Sequence, residues 1–318
     1  MSLVYLKLLR PLMFLLLLIM ASILAFKLAP QPKESIKAPI TATPPVLAAT
    51  TAVNPTFPDF SKVESPSNPY LTAAPVLTPT TPSTLPPGYL PTIESPEDLR
   101  LVLNESFEGP NLNTDLWNSQ FRWGTANPPE LEDYTLDSLS IQSGNLSITA
   151  DKNINGNQPY SSGMIASFNR FYFQYGYIEI RARVPKGQGL WPGLWLMAQN
   201  SQSAEEIDIM ELLGQEPSTV YTTIHYKLAN MDKGMEGSSI HGPDFSKDFH
   251  IYAVDWEWDK IVWYIDDSEV FRVTDHISHE PMYLIANLAV GGLWPGNPDQ
   301  DTSFPAHFNI DYIRVFTH

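Results

Sequence analysis

The sequence predicts an all-β protein whose ordered part is an antiparallel β-sandwich with a concave cleft. From about residue 93 onward, short runs that alternate apolar and polar residues, or are rich in β-branched and aromatic residues, recur between Gly, Asn and Asp turns. No segment carries the 3.6-residue apolar period of a long helix. Many short strands in one stretch of this length favour a single sandwich domain over residues 93–318, in which one sheet curves into the cleft.

The N-terminal residues 1–27 form a predicted targeting segment. Lys7 and Arg10 precede an apolar run of 16 residues, Pro11 to Phe26, and Lys27 follows it. This length lies between that of a signal-peptide core and that of a short membrane helix. The small residues at its end are not spaced as an A-x-A cleavage site, so an uncleaved anchor is favoured over a cleaved signal. Both interpretations place the rest of the chain outside the cell, secreted or held at the membrane.

Residues 28–92 are a predicted disordered linker. They hold 15 of the chain's 29 Pro residues, mixed with Thr, Ala and Ser. A segment of this composition cannot bury a core and stays extended. The linker is therefore expected to act as a spacer before the folded domain.

The strands of the predicted domain can be identified in chain order. The single helical candidate is a short turn at Ser95–Leu99, because no later segment has a helical period. The runs with the strongest strand pattern are Leu139–Ile141, Leu146–Ala150, Gly176–Val184, Val220–Tyr226 and Ile261–Asp266.

Charge and cysteine content exclude several classes of function. The chain has no Cys, which excludes disulfides, thiolate metal sites and a cysteine nucleophile. Residues 93–318 hold 13 basic and 32 acidic residues, a formal charge of −19. Such a domain repels nucleic acid and other anionic polymers, so a neutral substrate is expected.

The rest of the domain is organised around an acidic strand, Glu206–Glu211. Side chains alternate between the faces of a strand, so Glu206 and Asp208 point away from the isoleucines that follow each of them. Strict alternation would turn Glu211 into the apolar core, where a carboxylate is costly. A β-bulge at Ile209–Met210 removes this conflict and returns Glu211 to the face of the other two acids.

Three carboxyl groups held side by side push each other's pKa values apart, so that one can be ionised while another is protonated. Glycoside hydrolysis needs such a pair, namely a nucleophile or base and an acid for the leaving oxygen. The alternative is a solvated acidic strand on the surface of a sandwich. The alternation with Ile and Met and the nearby aromatic residues favour a catalytic site made of Glu206, Asp208 and Glu211.

Aromatic residues predict the substrate contacts of this site. Trp191 and Trp294 each lie beside Pro and Gly in a predicted loop, and Trp123 lies in an earlier loop. Trp195 lies inside an apolar run, where core packing and sugar contact are equally consistent with the pattern. His225 lies in a strand expected to pair with the acidic strand, and either a structural role or a role in substrate contact or acid tuning is consistent with that place. No group of His residues has metal-ligand spacing, so no catalytic zinc is expected.

These motifs resemble those of glycoside hydrolase family 16, in the bulged form of its laminarinase branch, whose members cleave β-1,3-glucans. The resemblance covers most of residues 100–318, and Met164 departs from it because many laminarinases have Arg there. Besides the acidic strand, the similar blocks are Tyr160–Gly163, Phe173–Glu179, Pro185–Trp195, Phe249–Trp256, Asn287–Gly296 and Ile310–Val315.

The resemblance implies a concanavalin A-like jelly roll and a retaining double displacement. Glu206 matches the nucleophile, Glu211 the acid/base, and Asp208 the residue that shares a hydrogen bond with the nucleophile. The family often carries a structural calcium away from the cleft. The matching ligands are the carbonyls of Ser106 and Gly144 and both the carbonyl and the carboxylate of Asp311, oxygen ligands that suit calcium. No catalytic cofactor is implied.

The leading hypothesis is an exported, monomeric, endo-acting hydrolase of β-1,3-glucan or mixed β-1,3/1,4-glucan. A hydrolase or transglycosylase on another β-linked polysaccharide is the alternative within enzymes. A non-catalytic carbohydrate-binding sandwich is the alternative outside enzymes, although such a module has no need of three like charges in contact. A structural surface protein would leave the loop tryptophans unexplained.

Overall fold

A computed structural model describes residues 99–317, apart from Ala126, Asn155, Ser201, Ala204 and residues 229–232. The predicted anchor, the predicted linker and most of the helical turn at Ser95–Leu99 lie outside the described residues. Within the described part of the chain, no helix has both the length and the hydropathy needed to cross a membrane.

The described residues fold into two β-sheets, which confirms the predicted antiparallel β-sandwich. The strands are β1 Arg100–Glu105, β2 Glu132–Tyr134, β3 Leu139–Gln142, β4 Asn145–Lys152, β5 Tyr160–Ser162, β6 Met164–Ala166, β7 Gly176–Arg183, β8 Leu190–Ala198, β9 Glu206–Leu212, β10 Thr219–Lys227, β11 Lys233–His241, β12 His250–Trp256, β13 Ile261–Ile265, β14 Ser268–Val273, β15 Met282–Val290 and β16 Ala306–Thr317. The larger sheet has ten strands, in the order β14-β13-β12-β7-β16-β4-β5-β2, with β1 beside β16 and β3 beside β4. The smaller sheet has six strands, in the order β11-β10-β9-β8-β15-β6. Neighbouring strands are antiparallel, except that β2 and β5 are parallel.

Among the described residues, one 3₁₀ turn, Leu136–Ser138, precedes β3. All five runs predicted from the sequence lie on strands, with bounds that differ by a few residues at most.

The main core lies between the sheets and follows from the alternation along each strand. On β9, the apolar residues from Ile207 to Leu212 pack into this core together with Ile178 and Ile180 of β7. A second apolar cluster covers part of the outer face of the smaller sheet and contains Met164, Tyr283 and Ile285. All nine residues of β15 are therefore buried, since this strand is covered on both faces.

The predicted β-bulge is present in β9. Against β10, Asp208 pairs with Thr223 and Glu211 pairs with Tyr221, so Ile209 and Met210 together oppose a single residue. The register with β8 shifts at the same place. Both bulge residues are buried, which confirms that the extra residue keeps the core apolar on either side of the irregularity.

One hydrogen bond ties the bulge to the opposite sheet. The indole Nε1 of Trp263, on β13, donates to the backbone carbonyl of Asp208 at 2.9 Å. Trp263 is fully buried, so its N–H needs a partner inside the protein, and the carbonyl beside the bulge supplies one. The bond crosses the core and holds β9 at the residue that lies between the two glutamates.

Candidate active site

The bulge places Glu206, Asp208 and Glu211, hereafter the acid row, on the outer face of the smaller sheet. Their neighbours Ile207, Ile209, Met210 and Leu212 all lie in the core between the sheets. The partners of the row on β10 are His225 opposite Glu206, Thr223 opposite Asp208 and Tyr221 opposite Glu211. This register confirms the predicted pairing of the strand that carries His225 with the acidic strand.

His225 joins the first two acids into a compact group. Its Nε2 lies 3.2 Å from Oδ2 of Asp208 and 3.9 Å from Oε1 of Glu206. The Asp208 side chain is only 3% exposed, whereas that of Glu206 is 24% exposed. Asp208 is thus enclosed by the group, and Glu206 keeps an open side through which a reactant can approach.

Aromatic side chains surround the other end of the acid row. Trp191 Nε1 donates to Oε1 of Glu211 at 3.0 Å, so the indole orients this carboxyl. The Trp294 ring meets Trp191 edge-on, with 5.4 Å between centroids, and lies 4.9 Å from the ring of Tyr221. Trp191 and Trp294, both predicted as substrate contacts, therefore share one wall beside Glu211. Trp294 lies in a turn as predicted, but the predicted loop position of Trp191 is wrong, because this residue lies on β8, where Ala289 of β15 pairs with it. Tyr221 completes this wall and was not predicted.

Burial and mutual repulsion raise the pKa values of both glutamates. Burial, and next the charge of Asp208, raise the pKa of Glu206 to about 8. The pKa of Glu211 rises well above its ordinary value because of burial, with the charges of Asp208 and Glu206 adding to the effect. At neutral pH the acid row therefore keeps at least one proton, which belongs to the group as a whole.

The charge of His225 opposes this repulsion. Burial alone would lower the pKa of His225, but the hydrogen bond to Asp208 and the charge of Glu206 outweigh it and raise the pKa to about 9. The ring is an imidazolium at neutral pH, and its charge lowers the pKa of Glu206. Ligand atoms of Glu206, Asp208 and His225 lie within 4.8 Å of one another, close enough for a cation. A protonated imidazole has no lone pair to offer a metal.

A chain of buried hydrogen bonds fixes Trp195, which pairs with Asp208 in the sheet register. Trp195 Nε1 donates to Oδ1 of Asn287 at 2.9 Å, and Nδ2 of Asn287 donates to the hydroxyl of Tyr134 at 3.0 Å. That hydroxyl donates in turn to Glu130 at 3.5 Å. Trp195 is thus a fixed part of the floor beside the acid row. Among the residues of this hydrogen-bonded series, Asn287 could have been identified from the sequence, because it is a polar residue inside an apolar strand.

Trp123 lies over the same floor. Its ring stacks on Phe121 with centroids 4.6 Å apart and an interplanar angle of 10°. Phe121 in turn lies 6.0 Å from Trp195. Met164, which departs from the family pattern, is fully buried in this cluster, so the position supplies packing here in place of a charged side chain.

The residues predicted to hold calcium lie on the ten-stranded sheet and its turns. The carbonyl oxygen of Ser106 and Oε1 of Glu108 lie 3.8 and 3.6 Å from the point that a Cβ on Gly144 would occupy. Asp311 accepts a hydrogen bond from Arg181 at 2.5 Å through Oδ2. Oxygen donors gathered beside Gly144 fit a hard cation such as calcium.

The geometry defines a carboxylate site of the kind that acts on glycosidic bonds, and comparison with known proteins identifies the family. The profile of "Glycosyl hydrolases family 16" matches residues 132–314. The chain belongs to glycoside hydrolase family 16. A second profile, "Beta-glucan synthesis-associated protein SKN1/KRE6/Sbg1", matches residues 10–206.

Curated relatives and solved structures agree with this assignment. Glucan endo-1,3-beta-glucosidase A1 of Niallia circulans is 32% identical over 71% of this chain and 39% of its own length. Endo-1,3-1,4-beta-glycanase ExsH of Rhizobium meliloti is 32% identical over 69% of this chain and 52% of its own length. The chain thus spans about half or less of these relatives. The laminarinase catalytic domain of Thermotoga maritima superposes with a TM-score of 0.63 at 34% identity, over 70% of this chain and 99% of that domain.

The substitution Asp208→Asn tests the electrostatics of the acid row without any assay of activity. Asp208 is the carboxylate nearest to His225, with 3.2 Å between Oδ2 and Nε2, so its neutralisation should lower the pKa of the imidazole from about 9 toward its ordinary value. The His225 titration followed by NMR in the full-length chain measures this pKa. Asp266→Asn is the matched control, because Asp266 bonds His250 instead. An equal pKa of His225 in the wild-type and Asp208→Asn proteins would contradict the account.

Proposed function

We propose that this protein is an endo-acting, retaining glycoside hydrolase that cleaves β-1,3-glucan or mixed β-1,3/1,4-glucan. The observation that carries the proposal is the acid row, with its raised glutamate pKa values, on the face where Trp191 and Trp195 lie. The family membership and the names of the related β-glucan hydrolases support the reaction and the substrate class.

Glu206 and Glu211 divide the chemistry between them. In the first step, a carboxylate oxygen of Glu206 forms a bond to the anomeric carbon while the glycosidic bond breaks, and Glu211 transfers its proton to the departing oxygen. In the second step, Glu211 takes a proton from a water molecule, whose oxygen bonds to the anomeric carbon and releases Glu206. Glu206 ends as a carboxylate and Glu211 ends protonated, so both groups return to their starting states.

The surroundings of the two glutamates suit these roles. The pKa of Glu211 is raised by burial and by two neighbouring carboxylates, which favours the proton that an acid must deliver. The charge of the nearby His225 imidazolium opposes the larger effects of burial and of Asp208 on the pKa of Glu206, and so favours the carboxylate form that a nucleophile requires. Asp208 lies 3.2 Å from Nε2 of His225, and its charge raises the pKa of Glu206, so it couples the protonation of these two neighbours.

The aromatic side chains supply the binding surface. Sugar rings present C–H faces that pack on indoles, and Trp123, Trp191, Trp195 and Trp294 are the predicted contacts around the acid row. An acidic domain also suits a neutral polysaccharide better than a sulfated one.

Transglycosylation is the second candidate, and a specific observation favours it. The profile of β-glucan synthesis-associated proteins matches residues 10–206, a range that includes the apolar N-terminal segment. The covalent intermediate on Glu206 would then be captured by a sugar hydroxyl instead of water. Products longer than a defined oligosaccharide substrate would favour this candidate, and products that are all shorter would favour hydrolysis.

The proposal also covers location and a structural cation. The apolar run and its basic flank support export, with residues 1–27 as a membrane anchor or signal. Calcium held by Ser106, Gly144 and Asp311 would join β16 to the turns that face it. Removing calcium with EDTA should then lower the melting temperature of the protein, and added calcium should restore it. An identical melting temperature after chelation and dialysis would contradict a bound structural calcium.

Substitutions of the two glutamates test the assigned roles separately. Glu206→Gln should lower the rate on laminarin by at least about 10³-fold because no covalent intermediate forms. Glu211→Ala should lose a similar factor on laminarin but far less on a β-glucoside with a dinitrophenyl leaving group, which departs without a proton. Rates measured on both substrates with the full-length chain make the comparison.

Glu205→Gln is the matched control for these substitutions. Glu205 adjoins Glu206 in sequence, but its carboxylate accepts a hydrogen bond from Ser278 outside the acid row. Its rate on laminarin should stay within a few-fold of the wild type. Full activity of either Glu206→Gln or Glu211→Ala on laminarin would overturn the assigned roles.

A further inference from the structure

Three aromatic rings form a cluster on the surface that is separate from the acid row. Tyr175 directly precedes β7, Trp258 lies in the turn between β12 and β13, and His279 lies in the segment before β15. We call these three residues the platform. Two of them come from the strands and turns of the ten-stranded sheet, whereas the acid row belongs to the six-stranded sheet.

The platform holds one indole in a fixed position. The Trp258 ring stacks on the imidazole of His279, with centroids 4.1 Å apart and an interplanar angle of 20°. Tyr175 braces both, since its ring meets Trp258 edge-on at 6.1 Å and its hydroxyl lies 2.8 Å from Nδ1 of His279. The side-chain amide of Gln174 also donates to the carbonyl of His279, which fixes the backbone beneath the ring.

The indole nevertheless remains open to solvent. Trp258 is 66% exposed, although one of its faces is covered by His279, so the opposite face is available to a ligand. Tyr175 adopts a φ of +59°, in the left-handed region that costs free energy for a residue with a side chain. A strained backbone at Tyr175 thus supports the exposed ring of Trp258.

The chemistry around the ring suits a neutral sugar. A β-linked glucose unit carries its hydroxyls around the ring edge and presents a C–H face that can lie flat on an indole. The same turn supplies polar groups for the hydroxyls, because Glu257 and Lys260 form an ion pair of 3.1 Å and flank Trp258 and Asp259 in sequence. One indole with such a rim is too small for a stable protein interface.

We propose that Trp258, stacked on His279, is a second sugar-binding site that holds a β-glucan chain outside the acid row. This inference rests on the proposed function for the identity of the sugar. The platform and the acid row are linked by contacts at one end of the sandwich. Trp256 Nε1 donates to the carbonyl of Ser278 at 3.1 Å, and the hydroxyl of Ser278 donates to Glu205, the residue before Glu206.

This arrangement predicts a difference between long and short substrates. A glucan chain held on the platform is bound to the same domain as the acid row, so its effective concentration at the acid row is increased. An oligosaccharide that fills only the cleft cannot reach both sites, so the platform does not increase its effective concentration at the acid row. The platform should therefore lower KM for polymeric or particulate β-glucan and leave kcat/KM on short oligosaccharides unchanged.

The binding test uses the full-length chain with Glu206→Gln, so that no substrate is consumed, with and without Trp258→Ala. Sedimentation with insoluble β-1,3-glucan particles measures the apparent Kd. Loss of one ring stack should weaken binding about three- to tenfold, and Trp258→Phe should retain most of the affinity because a ring remains. Ile154→Ala is the matched control, since Ile154 is a highly exposed apolar residue away from the platform.

The kinetic test uses the active full-length chain. Trp258→Ala should keep the wild-type kcat/KM on a β-1,3-glucohexaose. On the particles, its kcat/KM should fall about three- to tenfold. Equal binding and equal rates on particles would overturn the platform while leaving the proposed function intact. A wild-type protein that neither cleaves the hexaose nor binds the particles would overturn both. His279→Ala provides a second variant, which should weaken particle binding by releasing the stacked indole.

Discussion

One extra residue in β9 is the constraint on which the site depends. A regular strand cannot present Glu206, Asp208 and Glu211 on one face, because the third acid would turn into the core. With Ile209 and Met210 both directed inward, the core stays apolar and the three carboxyls share the outer face. The Trp263 hydrogen bond to the Asp208 carbonyl connects this irregularity to the opposite sheet, so the packing of the sandwich helps to hold the acids in place.

The electrostatics of the site follow from this placement. Carboxyls forced together under partial burial cannot all ionise near neutral pH, and the imidazolium of His225 offsets part of their repulsion. The aromatic wall beside Glu211 contributes burial and a donor, since Trp191 hydrogen-bonds its carboxyl. Trp191, a predicted substrate contact, thus also acts on the protonation of Glu211, because its hydrogen bond lowers the pKa that burial and the neighbouring carboxylates raise.

Sequence alone predicted the sandwich, the bulge and the pairing of the His225 strand, because each leaves a local pattern. The bulge could be inferred from a conflict between alternation and charge within six residues. The hydrogen bonds that hold Trp195 could not be inferred from the sequence. Their members Asn287, Tyr134 and Glu130 come together only through pairings between distant strands. Tyr221 was missed for the same reason: its place opposite Glu211 depends on the bulge register. The platform was not predicted from the sequence either, because its rings come from three separate segments.

The most direct test of the central claim is covalent trapping of the nucleophile. The wild-type full-length chain would be incubated with a 2-deoxy-2-fluoro β-glucoside bearing a dinitrophenyl leaving group, which slows release of the intermediate. The site of attachment would then be located by peptide mass spectrometry. The account predicts one sugar per chain, attached to Glu206. Attachment at Asp208 or Glu211, or no inactivation of a protein that still hydrolyses laminarin, would contradict it.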